Sequence, residues 1–127
     1  MRLLHLALAD DFEAARPLGE YTVSTRGTSV DDAGFIHAST AGQLPKIASM
    51  LYSDVHSPLV VLVIDEDELA GAGIEVKWET PHGSDQLFPH IYGPLPTDND
   101  TVVAVVPVEF SGRRFVMPDL SDYDVRP

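Results

Sequence analysis

The sequence predicts an α+β fold: a single compact domain with a mostly antiparallel β-sheet and two or three short helices. Three observations carry that prediction. Segments of strand character outnumber segments of helical spacing, and the connections are too short for the repeated crossover helices of a parallel sheet. The chain has 127 residues, 44% of them apolar, which is enough for one core and short for two.

Taken in order, residues 3–8 form a short apolar run ending at an acidic pair, the pattern of a strand. Asp10 with Glu13 has the spacing of a capping box for a first helix, which Pro17 and Gly19 stop after about two turns. Residues 21–24 alternate as a second strand, and 25–34 are turn-rich, a loop or one short helical turn. In GFIHAST, residues 34–40, a strand enters at Phe35 and leaves near Ser39. Leu44, Ile47, Ala48 and Leu51 then repeat at the spacing of a buried helical face. The start of this helix is read two ways, from Thr40 and Gln43 as a capping box or from Pro45 at the first helical position.

LVVLVID, residues 59–65, is rich in β-branched side chains and reads as a central buried strand, with DEDE at 65–68 as a solvated acidic turn. Residues 74–78 alternate as a half-buried strand ending at Glu79, and TPHGSDQ at 80–86 is a loop. FPHIYGPLP, residues 88–96, is stiffened by Pro89, Pro94 and Pro96; if extended, it places His90 and Tyr92 on one face and Ile91 on the other. Residues 101–110 form a long strand in which Pro107 points to an edge or a bulge. The polar stretch 113–127 is expected to be a loosely packed tail.

Eight basic against twenty acidic residues give a net charge of −12, a field that repels nucleic-acid phosphates and anionic membranes. The expected partner is a small molecule or a nucleotide, which a few arginines could still hold. The absence of cysteine excludes disulfides, thiolate metal sites and cysteine nucleophiles. The N-terminal stretch is a poor signal peptide, and LVVLVI is far below the roughly 20 apolar residues of a bilayer span. A cytoplasmic protein is the expectation.

No phosphate-loop, dinucleotide-fingerprint, nucleophile-elbow or zincin motif occurs. The candidate chemistry lies in His5, His37, Glu79 and His90, which sit at or near strand ends in separate segments. Each has a plain alternative. His5 in an apolar strand can be a hydrogen-bonded core histidine, Ser39 and Thr40 beside His37 can bind a polar ligand or cap the next helix, and Glu79 can be a solvated strand terminus. His56 and His82 read as surface residues. The His/Glu set lacks the i, i+2 or i, i+4 spacing of a strong metal motif, so no metal is expected.

LLHLAL, GFIHAST with Gln43, LVVLVID, KWE at 77–79 and FPHIYGPLP, in this order over most of the chain, resemble the bacterial family of domain of unknown function 952. Leu4 stands where that family often has an aromatic residue, and Phe12 where it often has Trp. The family looks like the ADP-ribosyltransferase fold, a split β-sheet around a nicotinamide dinucleotide cleft. The resemblance implies that His5 orients the cofactor, that His37 with Ser39 or Thr40 forms a second wall, and that Glu79 or His90 supplies the third group. Tyr92 would stack on a flat ring or position an acceptor. NAD or a related nucleotide is the implied ligand, with ADP-ribosyl transfer or NAD glycohydrolysis as the implied activity. Two other readings stand beside it, a metal-dependent small-molecule enzyme built on the His/Glu cluster and a non-catalytic ligand-binding module.

Overall fold

The computed structural model describes residues 1–80 and 85–127, so the histidine at 82 and the middle of the 80–86 loop lie outside the described residues. The architecture is α+β, with antiparallel sheets and, among the described residues, four short α-helices, where the sequence suggested two or three. A four-stranded sheet runs in the order β1 (Arg2–Leu8), β6 (Leu59–Asp65), β10 (Val102–Ser111), β11 (Arg114–Val116). A three-stranded sheet runs in the order β5 (Ile36–His37), β8 (Phe88–Tyr92), β7 (Glu75–Glu79). Two small ribbons complete the sheets, β2 (Glu20–Tyr21) with β9 (Leu95–Pro96), and β3 (Val23–Thr25) with β4 (Thr28–Ser29).

The core follows from alternation along β1 and β6. Leu3, Ala7, Val60, Leu62 and Ile64 point to one side of the four-stranded sheet, where they meet Phe12, Tyr21, Ile36, Leu69 and Ile91. Leu4, Leu6, Leu59, Val61 and Val63 point to the other, against Leu44, Ala48, Tyr52, Phe115 and Leu120. The first cluster joins the two larger sheets; the second seats helix α3 (Leu44–Tyr52) and the C-terminal segment. Burying both faces requires an unbroken apolar strand, which is why β6 reads LVVLVI.

Several local expectations are corrected. Helix α1 (Ala9–Ala15) begins one residue before Asp10, with Leu8 at its N-cap and no side-chain cap, so the Asp10–Glu13 capping box is not formed. A 3₁₀ turn at Arg16–Leu18 follows, and Gly19 ends it at φ 82°, a conformation that glycine adopts without a Cβ clash. Helix α2 (Val30–Ala33) occupies the expected turn region, capped by the Ser29 hydroxyl. The acidic run after β6 is not a solvated turn. Asp65 caps Glu68 N and launches helix α4 (Glu66–Gly71), whose first turn gains from negative charge at the positive end of its dipole.

For α3, both start signals are used. Thr40 and Gln43 form a reciprocal capping box, and Pro45 lies in the first turn. Its buried face is Leu44, Ala48 and Tyr52, whereas Leu51 is 40% exposed, so the face is rotated from the one expected. In β10 the register shift falls between Val102 and Ala104, while Pro107 pairs in register with Val60. The proline is tolerated because β11 pairs with β10 only at 109–111.

The C-terminal segment is not loose. Phe115 and Leu120 are buried, Val125 bridges Arg2, and the Arg126 guanidinium pairs with Glu66. The sequence pattern missed this because the anchors are single residues separated by polar ones.

Candidate functional site

The three-stranded sheet has one apolar face and one face that carries polar and aromatic side chains. Ile36, Ile91 and Val76 pack into the core between the sheets. Their strand neighbours point the other way, and the register sets His37 opposite His90, and His90 opposite Lys77. Extended FPHIY therefore puts His90 and Tyr92 on the same face, as period-2 geometry requires.

On that face the rings form one cluster. Phe35 stacks on His90 with centroids 3.9 Å apart and planes at 12°. His37 meets Phe35 edge to face at 4.9 Å and His90 at 5.5 Å, and Tyr92 leans against Phe35 at 5.5 Å. Lys77 Nζ lies 4.8 Å from the Tyr92 ring centroid.

Glu79 is the hub of the polar contacts. His90 Nδ1 donates to Glu79 Oε1 at 2.8 Å, and the Tyr92 hydroxyl donates to the same oxygen. These two hydrogen bonds, Tyr92 first, hold the Glu79 carboxyl below the usual carboxylate range, and Glu79 in turn raises the Tyr92 hydroxyl. The side chain of Glu79 is 40% exposed, while that of His90 is 4% exposed. The other ring nitrogen of His90, Nε2, is buried without a hydrogen-bond partner.

His5 lies elsewhere. It is 2% exposed and both ring nitrogens are engaged, Nδ1 with the His37 carbonyl and Nε2 with the Tyr21 hydroxyl at 2.9 Å. Burial lowers its pKa to about 4, so it is neutral at physiological pH. In this setting it is a core histidine that ties β1 to β5, the plain alternative to the cofactor-orienting role that the resemblance implied. Thr40 is likewise used as a helix cap, and Gln43 extends that cap to the Leu87 carbonyl at 2.8 Å, just before β8. Ser39 exchanges backbone hydrogen bonds with Leu4 and is buried.

His5, His37 and Ser39 line one small recess, whereas His37, His90, Tyr92 and Glu79 make up the ring cluster; His37 belongs to both. Its pKa is lowered, by burial first and by the neighbouring His90 second. Among the described residues no three His, Asp or Glu side chains are grouped to hold a metal ion. Sequence reasoning missed Phe35 and Lys77 as members of the face. The signal was available, since Lys77 is two residues before Glu79 on the same strand and Phe35 is two before His37, immediately ahead of β5.

The family model for the protein of unknown function DUF952 matches residues 6–105, which run from the end of β1 through the GFIHAST segment and the whole ring cluster. The chain belongs to this family. No curated protein matches it. Among solved structures, the DUF952 chain is similar to the X-ray structure of protein CC0527 from Caulobacter crescentus, at 24% identity and TM-score 0.73 over 96% of both chains. It is also similar to the solution NMR structure of CC0527, at 26% identity and TM-score 0.68 over 95% of this chain and 94% of that one. These likenesses establish the fold. Among the described residues no helix of this DUF952 chain is long and apolar enough to cross a membrane.

Proposed function

We propose that the protein binds nicotinamide dinucleotide or a related nucleotide at the Phe35–His37–His90–Tyr92–Glu79 face, in an ADP-ribosyltransferase-like arrangement, and cleaves the nicotinamide–ribose bond by transfer or glycohydrolysis. The observation that carries this reading is the state of Glu79. One of its oxygens is anchored by His90 and Tyr92, its carboxyl is held ionised, and the group is half exposed at a strand end beside an aromatic wall. Loss of nicotinamide develops positive charge on the ribose, and a fixed carboxylate stabilises that charge without reorganising. Glu79 therefore takes the third role, and buried His90 acts as its positioning residue. Phe35 and Tyr92 offer ring faces for a flat heterocycle.

Calorimetric titration with NAD and ADP-ribose, together with chromatography of released nicotinamide, tests the proposal. Binding in the micromolar range is expected, and Glu79→Gln should retain binding while nicotinamide release is lost. No binding at millimolar ligand would overturn the reading. The burial of His90 beneath Phe35 favours a second reading, a binding module without turnover, which predicts NAD retention with no nicotinamide released.

A further inference from the structure

Beside the ring cluster, on the other side of His37, a recess of about 20 Å³ opens between β1, β3, β5 and α3. That is room for about one water-sized group. Its polar lining includes Ser24, Thr25, His37, Ser39 and Tyr52, and Ile47 and Leu51 line its solvent side, with Leu51 40% exposed. None of its lining residues is Asp, Glu, Lys or Arg, in a chain that carries twenty acidic and eight basic side chains.

Most of the hydrogen-bonding capacity around this recess is already used. His5 is engaged at both nitrogens, and the Tyr52 hydroxyl donates to the Leu6 carbonyl and accepts from Arg26 N. Ser24 is the exception. It is fully buried and its hydroxyl oxygen has no hydrogen-bond partner. A buried hydroxyl left unpaired is costly, and native proteins rarely keep one without a use. Its aim is also built in. The β3–β4 register passes from Val23↔Ser29 to Thr25↔Thr28, so Ser24 is the extra residue of a bulge, the device by which a strand redirects a side chain.

We infer that this recess binds one uncharged hydrogen-bonding head group, a hydroxyl or a carboxamide, paired with Ser24 Oγ and carried on an apolar body that lies against Ile47 and Leu51. The absence of lining charge selects against ionised head groups, because desolvating a charge there would go uncompensated. The small volume limits the head to a single such group. The inference goes beyond the dinucleotide reading and does not depend on Glu79.

The test is an NMR titration of the uniformly ¹⁵N-labelled full chain with four probes: benzamide, benzyl alcohol, benzoate and benzylamine. The two uncharged probes should shift the amide resonances of Ser24, Thr25, Ser39 and Leu51, and comparison of the two identifies which head is preferred. The two charged probes should bind at least about tenfold more weakly. Ser24→Ala, which removes an unpaired hydroxyl and leaves the fold intact, should weaken the better uncharged probe by about three- to tenfold. Leu51→Ala, at an exposed position, should weaken both uncharged probes by removing the apolar wall.

Equal binding of charged and uncharged probes, or shifts confined to other residues, would overturn the inference. So would unchanged affinity in Ser24→Ala, which would mean that the recess holds only a resident water. Failure of NAD to bind while benzamide shifts these amides would sink the dinucleotide reading and leave the recess standing; NAD binding without any probe effect at Ser24 would do the reverse.

Discussion

The four-stranded and three-stranded sheets are built from similar residues but differ in what covers them. β6 is buried on both faces, so each of its side chains from Leu59 to Ile64 is committed to packing. β8 is buried on its core face through Ile91, while on its other face His90 is covered by Phe35 and only Tyr92, with its partner Glu79, stays partly exposed. Two-sided burial yields stability and leaves no side chain free. Incomplete cover holds the strand rigid while Tyr92 and Glu79 stay reachable, and the candidate chemistry lies there.

The sharpest way to break this contrast is Leu62→Ala. Leu62 is fully buried at the centre of β6, so the substitution should lower unfolding free energy by about 2–5 kcal/mol in urea titrations, with the ring-current shifts of the Phe35–His90 cluster unchanged in the folded state. An effect below about 1 kcal/mol, within the range of an ordinary surface change, would show that the central sheet does not dominate stability.

His5 provides the next test, because it is polar yet belongs to the stable region. Burial lowers its folded pKa from the ordinary 6.5 to about 4, so between these values the unfolded chain binds more protons than the native one. Its stabilising contribution is complete above the ordinary value and is lost as the pH falls towards the folded one. The loss should be on the order of 3 kcal/mol, measured as urea midpoints across that acid range. His37, shifted in the same direction, adds to the slope. His5→Gln should flatten it, and an unchanged slope in that variant would remove His5 from the stable set.

On the open face the balance should reverse. His37→Ala and His90→Ala should each weaken NAD binding by about tenfold, a larger effect than on the unfolding midpoint. A large loss of stability with unchanged binding would place both histidines with the core instead. The smallest effect belongs to Tyr92→Phe. Removing the hydroxyl should raise the Glu79 carboxyl pKa towards its ordinary value, read from the Glu79 side-chain carbonyl resonance in a pH titration, without moving the unfolding midpoint. No change in that titration would separate Tyr92 from the carboxylate.

Much of this was legible one element at a time. β6 announced itself through an unbroken apolar run, the helix after GFIHAST through its spacing and capping box, and the shared face of His90 and Tyr92 through their separation of two. Where two local signals competed, the reading slipped. Asp10 and Glu13 matched a capping box that the helix bypasses, and the acidic run at 65–68 looked like a turn although Asp65 is itself a good cap for a helix. The tail was misread because Phe115, Leu120 and Arg126 act as isolated anchors with no period for a pattern to detect.

By itself the sequence determined the α+β class, the central strand, and the residue types available for chemistry, because alternation, helical spacing and capping are short-range properties of the chain. Only the tertiary structure decided which of those residues serve which purpose. His5, His37 and His90 have the same side chain and lie in similar strands. One is locked between a carbonyl and a tyrosine hydroxyl, one stands between a recess and a ring cluster, and one is stacked under Phe35 against Glu79. Burial, partner and exposure are set by contacts between segments tens of residues apart, and no local pattern encodes them.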